Sequence, residues 1–200
     1  MKKNAKTLAL AQTALLSAII VLMAFTPIGF LKIGLVEITF MSIPVTIGAI
    51  ILGPAFGAYF GALFGTLSFI QCFGLSAFGA TLLAINPFFT FALCLIPRIL
   101  MGFLTGLAFK ALKNTNTHVK TFIPSLLGPL LNTVFFVLGL ILMFGKSDYI
   151  VEMMTALDAT NVFKFAIAFV GTNGLIEAIA CTAVNFAVIK SLQKLFKTVH

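Results

Sequence analysis

Six long apolar segments, separated by short breaks, constrain what this chain can fold into. They cover residues 7–25, 37–52, 55–73, 87–112, 122–144 and 165–189. A helix needs roughly 20 predominantly apolar residues to cross the hydrocarbon core of a bilayer. The segments lack the alternation in strands of about ten residues that a membrane β-barrel requires. The pattern predicts an all-α integral membrane protein with six transmembrane helices, in which residues 1–200 form a single membrane domain.

The composition excludes most classes of soluble protein. Hydrophobic residues make up 60% of the chain and charged residues only 9%, whereas soluble domains carry roughly 25% charged residues. The mean hydropathy is +1.15. A soluble fold of 200 residues could not bury this much apolar surface. We therefore exclude a soluble enzyme and a nucleic-acid-binding domain. The net charge is +8, and we expect its basic side chains to contact the lipid bilayer.

The lysines are divided unequally between the two ends of the predicted helices. One end holds both termini and the loop at 113–120, and the other holds the loops near 26–36 and 146–164. Cytoplasmic loops of membrane proteins carry the excess of lysine and arginine. Nine lysines against three therefore predict cytoplasmic N and C termini. The nine are Lys2, Lys3, Lys6, Lys110, Lys113, Lys120, Lys190, Lys194 and Lys197, and the three are Lys32, Lys146 and Lys164.

The sequence contains no recognisable catalytic or metal-binding motif. Its three cysteines, Cys72, Cys94 and Cys181, form no CxxC pair and no cluster with histidine. The segment Gly145–Ser147 ends like a phosphate-binding loop but lacks the glycine that this motif requires five residues earlier. We predict no enzyme activity, no metal and no cofactor for this chain.

Small residues recur at four-residue spacing in three segments. Glycines at 53, 57, 61 and 65, and again at 102 and 106, place small surfaces on one helix face, where helices can approach closely in lipid. We expect these glycines to pack inside the protein. Ala14 and Ala18 form a similar face in the first segment. Periodicity alone leaves two interpretations of this face open, internal packing and docking to another subunit.

Two ionisable side chains lie deep within the predicted spans, Arg98 and Glu177. At 1.5 Å per residue they lie at similar depths from the outer ends of their helices, about 16 Å and about 18 Å. Charges at such depth are costly unless they are paired or hydrated, so they indicate function by default. One interpretation is a structural ion pair between them. The other is that one of them, preferably Arg98, binds a substrate carboxylate through its two-pronged guanidinium.

Four amide side chains accompany these charges on spans three to six. They can hydrogen-bond a polar ligand, or they can join neighbouring helices. Their joint placement near or outside the membrane centre favours a ligand pocket for the set. The four are Asn132, Asn173, Asn86 and Gln71.

Several spaced motifs together make the chain resemble the substrate-binding subunits (S components) of energy-coupling factor (ECF) vitamin transporters. The resemblance covers essentially the whole chain, and within the family the chain looks most like the members specific for pantothenate. The motifs are Ile43-Pro44-Val45, Gly48-Ala49, Leu52-Gly53-Pro54 with Gly57, Gly61 and Phe64-Gly65, then Pro97-Arg98-Ile99 with Gly102, Asn132-Thr133, and Asn173-Gly174 with Glu177.

The resemblance implies a mechanism and a set of partners. Family members of this kind bind a vitamin from outside, beneath the loop after the first span, and this loop adds Lys32 as a second candidate for the carboxylate. They then reorient on a transmembrane coupling subunit that two ATPase subunits drive, in the bacterial plasma membrane. Ala14 and Ala18 match the family's docking motif.

The residue content narrows the expected ligand without determining it. The chain has no tryptophan and two tyrosines, so a slot that stacks on a flat aromatic vitamin is disfavoured. Lys2 stands where metal-transporting members carry histidine. A small, hydroxylated anion such as pantothenate suits a pocket of amides and one cation. The alternatives are another small carboxylated vitamin, a stand-alone secondary transporter, and a membrane scaffold.

Overall fold

The computed structural model describes the backbone of residues 2–33 and 36–198. It describes the side chains of these residues except 2–5, 30–33, 36–38, 162, 169, 172–173 and 192–198. The fold is helical apart from one short hairpin. Its elements are α1 (Lys2–Ala24), β1 (Phe30–Ile33), β2 (Val36–Thr39), α2 (Ser42–Leu52), α3 (Pro54–Gln71), α4 (Ala77–Ile85), α5 (Pro87–Ala111), a 3-10 turn (Leu112–Asn114), α6 (Thr117–Phe144), α7 (Asp148–Ala156) and α8 (Val162–Thr198).

The prediction of a helical membrane protein is confirmed. Four stretches of helix in the described part of the chain are long and apolar enough to cross a bilayer: Lys6–Ala24, Pro87–Asn114, Thr117–Phe144 and Gly174–Ser191. Helix α2 has 11 residues, which span about 16 Å and not the full hydrocarbon thickness. Six crossings and cytoplasmic termini remain predictions.

The segment predicted as the second span begins differently. Its first residues form strand β2, which pairs with β1 in an antiparallel hairpin with Lys32 opposite Glu37. The helix starts only at Ser42. The alternation of apolar and polar residues in Val36–Thr39 favours an extended strand over a helix. The amide of Phe40 closes the base of the hairpin on the Gly29 carbonyl, at 2.9 Å.

Two segments predicted as loops contain short helices. Both begin at a serine whose hydroxyl accepts a hydrogen bond from the first helical turn, as an N-cap does. Ser76 accepts from the Gly79 amide before α4, and Ser147 accepts from the Ile150 amide before α7.

Glycines hold helices α3 and α5 together, which confirms the predicted internal packing of the glycine face except at Gly53, where a Cβ would meet open space. A Cβ added at Gly57, Gly61 or Gly65 would collide with a backbone carbonyl of α5, those of Gly102, Arg98 and Cys94 respectively. Backbones at this distance tolerate no side chain between them. The close approach places the Arg98 turn of α5 directly against α3.

Three helices contain residues that interrupt regular helix hydrogen bonding or geometry. Helix α5 contains Pro97 and α6 contains Pro124 and Pro129. Helix α8 is interrupted at Gly171, whose φ of 41° and ψ of −144° are not helical. A proline lacks the N–H that would bind the carbonyl four residues earlier, so each proline leaves one carbonyl free.

Candidate functional site

Arg98 is buried in α5, with 9% of its surface exposed. Its Nη1 donates to the Leu93 carbonyl at 2.8 Å. This carbonyl is available because Pro97, four residues further on, has no N–H to offer it. The guanidinium also lies over the rings of Phe64 and Phe136, 5.4 and 4.8 Å from their centroids. Its Nε has no hydrogen-bond partner.

Glu177 is buried in α8 and uses one carboxylate oxygen to hold the hairpin. Its Oε2 accepts a hydrogen bond from the Thr39 amide at 3.2 Å. Its Oε1 is buried without a partner. These two described side chains form no ion pair in direct contact. Arg98 donates to the Leu93 carbonyl instead, and Glu177 accepts from the Thr39 amide. The predicted alternative of a structural ion pair is therefore not what the structure contains.

Asn132 in α6 lies beside the Glu177 carboxylate, within range to interact with it. It is 5% exposed, and its Oδ1 has no hydrogen-bond partner. Arg98, Asn132 and Glu177, here called the polar cluster, thus come from three helices. Each presents a buried polar atom without a partner. Seven buried side chains of the described residues have such an atom, and three of the seven belong to this cluster. A bound ligand or water is the usual partner of such an atom.

The other predicted site residues divide into two groups. Gln71 donates from its Nε2 to the Ala24 carbonyl at the end of α1, and Asn86 caps α5 by accepting from the Phe89 amide at 3.1 Å. Both amides are therefore engaged in holding the fold. The side chains of Lys32 and Asn173 lie outside the described residues.

Three residues next to the polar cluster were missed by the sequence analysis. Ser42 donates to the Cys181 sulfur at 3.5 Å, and the Cys181 thiol lies 3.8 Å from the Thr39 carbonyl. Cys181 follows Glu177 by one helical turn, a spacing that places both on one face of α8. That spacing was the available signal, whereas no local pattern pointed to Thr39.

Helix α1 turns Ala14 and Ala18 away from the protein. Both are exposed, and Leu15 and Leu22 on the same face are 63% and 64% exposed. The opposite face packs inward through Ile20, which is fully buried. Within the described chain this alanine face therefore has no internal packing role.

Comparison with known proteins agrees with this architecture. The family described as "ECF transporter, substrate-specific component" matches residues 8–189. The chain is also 33% identical over 185 residues to the pantothenate transporter PanT of Leuconostoc mesenteroides subsp. mesenteroides, covering 88% of this chain and 87% of that protein. Members of this family are transporter components and not enzymes. The apolar helices are consistent with a multi-pass membrane protein. The chain belongs to the family of substrate-specific components of ECF transporters.

Proposed function

We propose that this chain captures pantothenate from outside the cell and delivers it inward as the vitamin-binding subunit of an ATP-driven ECF importer. The observation that carries the proposal is the polar cluster of Arg98, Asn132 and Glu177. Three buried side chains there each keep an atom without a partner. Leaving such atoms unpaired costs about 1–3 kcal/mol each, and a polar ligand removes this cost when it binds.

The chemistry of the cluster matches the groups on pantothenate. A guanidinium binds a carboxylate strongly, and it does so best where water is excluded. The free Glu177 Oε1 accepts a hydrogen bond from a ligand hydroxyl or amide N–H. Pantothenate carries a carboxylate, a secondary amide and hydroxyl groups. The PanT relative supports this ligand over other small carboxylated vitamins, and Lys32 and Asn173 are further candidate contacts.

Delivery would depend on the exposed face of α1. We assign Ala14, Ala18 and the neighbouring Leu15 as the surface that meets the transmembrane coupling subunit, because small residues allow helices to approach closely in lipid. Two ATPase subunits would supply the energy. The lysine distribution supports six crossings with both termini in the cytoplasm of a bacterial plasma membrane.

Equilibrium binding tests the proposal directly. Radiolabelled pantothenate is titrated onto the purified chain in detergent, and unlabelled vitamins with and without carboxylates compete for the site. We expect tight, saturable binding that only pantothenate displaces. Displacement by a different vitamin would retain the transporter role and reject the ligand. Absence of binding across the panel would reject both, and uptake by the chain alone without ATPases would identify a secondary transporter.

A further inference from the structure

Among the described residues, Thr39 attaches the hairpin to α8 through its backbone groups. The Thr39 amide donates to Glu177 Oε2 at 3.2 Å, across 138 residues of sequence. The Thr39 carbonyl lies 3.8 Å from the Cys181 thiol, one turn further along α8. Both backbone groups of Thr39 therefore face α8. Thr39 is also the last residue of β2, so this contact holds the hairpin where it joins α2.

The hydrogen bond from Thr39 to Glu177 lies at the edge of β2 that is not paired with β1. Strand β2 has β1 as its strand partner in the described sheet, so its second edge presents backbone groups without a ladder. A buried backbone N–H left unpaired costs about as much as a lost hydrogen bond. The Glu177 carboxylate provides the acceptor that a third strand would otherwise provide.

The same carboxylate also faces the polar cluster. Its Oε1 makes no hydrogen bond of normal geometry, and the Asn132 side chain lies close enough to the carboxylate to interact with it. A ligand group that donates to Oε1 is then held by the carboxylate whose other oxygen holds the hairpin. One side chain thus contacts both the hairpin and the ligand position.

We infer that Glu177 is a positioning residue that couples occupation of the polar cluster to the placement of the β1–β2 hairpin. This inference rests on the proposed function, since it assumes that a ligand occupies the cluster. Ligand bound to Oε1 orients the carboxylate and strengthens its hold on Thr39. The hairpin in turn stays in place and slows ligand escape.

Hydrogen exchange of the ligand-free protein tests whether Glu177 holds the hairpin, and this test does not depend on the identity of the ligand. Glu177→Ala removes the acceptor for the Thr39 amide, so exchange in a peptide covering 36–41 should become at least about tenfold faster. Glu177→Gln keeps an amide carbonyl as acceptor and should stay within about twofold of wild type. Asn185→Ala is the matched control, because this buried amide on α8 bonds the Ser125 carbonyl and not Thr39, and it should leave this exchange unchanged.

Ligand dissociation gives the second measurement. Glu177→Ala should release radiolabelled pantothenate at least about tenfold faster, and Glu177→Gln should restore most of the residence time. Unchanged exchange at 36–41 in Glu177→Ala would overturn the inference even if affinity falls, because Glu177 would then act only as a ligand contact. If Glu177→Ala does not fold, faster exchange at 36–41 in Glu177→Gln would overturn it instead. Failure of the wild-type protein to bind any vitamin would show separately that the proposed function is wrong.

Discussion

At the residue scale, Arg98 shows how a buried charge is accommodated without a counter-ion in contact. Burying an isolated charge is costly, and the cost falls when hydrogen bonds and polarisable groups surround it. Here one carbonyl and two aromatic rings receive the guanidinium. This arrangement satisfies Nη1 and leaves Nε without a partner. The Arg98 guanidinium is therefore already out of water before a ligand binds, and its Nε can still donate to an anion.

We predict that Arg98→Ala weakens pantothenate binding more than Lys32→Ala does. Loss of a desolvated charge partner should weaken pantothenate binding by about a hundredfold. Loss of Lys32, which is not part of the buried polar cluster, should cost less than about tenfold, because ion pairs outside buried sites contribute little. Binding isotherms of the two purified variants measure the difference. Full binding in a thermally unstable Arg98→Ala protein would assign Arg98 a structural role.

At the element scale, prolines inside α5 and α6 provide acceptors for buried side chains. Pro97 frees the Leu93 carbonyl, which accepts from Arg98. Pro129 frees the Ser125 carbonyl, which accepts from Asn185 Nδ2 at 3.5 Å. In both cases a residue that weakens the helix ladder creates a polar contact within the fold. In each case the buried polar side chain bonds to the carbonyl that the proline leaves free.

Restoring the helix ladder should therefore loosen Arg98. Pro97→Ala returns an N–H that competes for the Leu93 carbonyl, so pantothenate affinity should fall about three- to tenfold. The melting temperature in detergent should stay equal or rise, because an interior proline destabilises a helix. Pro124→Ala in α6 is the matched control and should leave affinity unchanged. Unaltered affinity in Pro97→Ala would show that Arg98 does not depend on the freed carbonyl.

At the scale of the whole molecule, the chain combines an internally packed core with exposed helix faces, and the alanine face of α1 is one of these faces. Glycine contacts join α3 to α5, and polar contacts join α6, α8 and the hairpin. Helix α1 packs through Ile20 and leaves its alanine face exposed. A substitution on this face should affect assembly and not ligand capture.

Ala14→Leu should leave pantothenate binding to the isolated chain intact and abolish uptake by the assembled transporter. The added side chain prevents the close helix contact that small residues permit. Uptake into vesicles containing the complete complex measures this effect. Ala183→Leu on α8, which is also exposed, is the matched control and should preserve both properties. Loss of binding in Ala14→Leu would mean that α1 contributes to the ligand site.

Much of this organisation follows from sequence patterns, because membrane helices obey local rules. Apolar length sets where helices form, and small-residue spacing sets which faces meet. The rarity of charges in a bilayer singles out Arg98 and Glu177, which are both buried. These properties depend on residues within a few turns of each other.

The tertiary structure decided which polar groups meet. Gln71 and Asn86, which stay predicted ligand contacts, each bond to a backbone group at a helix end. The partner of Glu177 proved to be Thr39, 138 residues away. The alanine face of α1 points outward, which periodicity left open. A side chain's hydrogen-bond partner depends on how distant helices approach and rotate, and no local pattern carries that information.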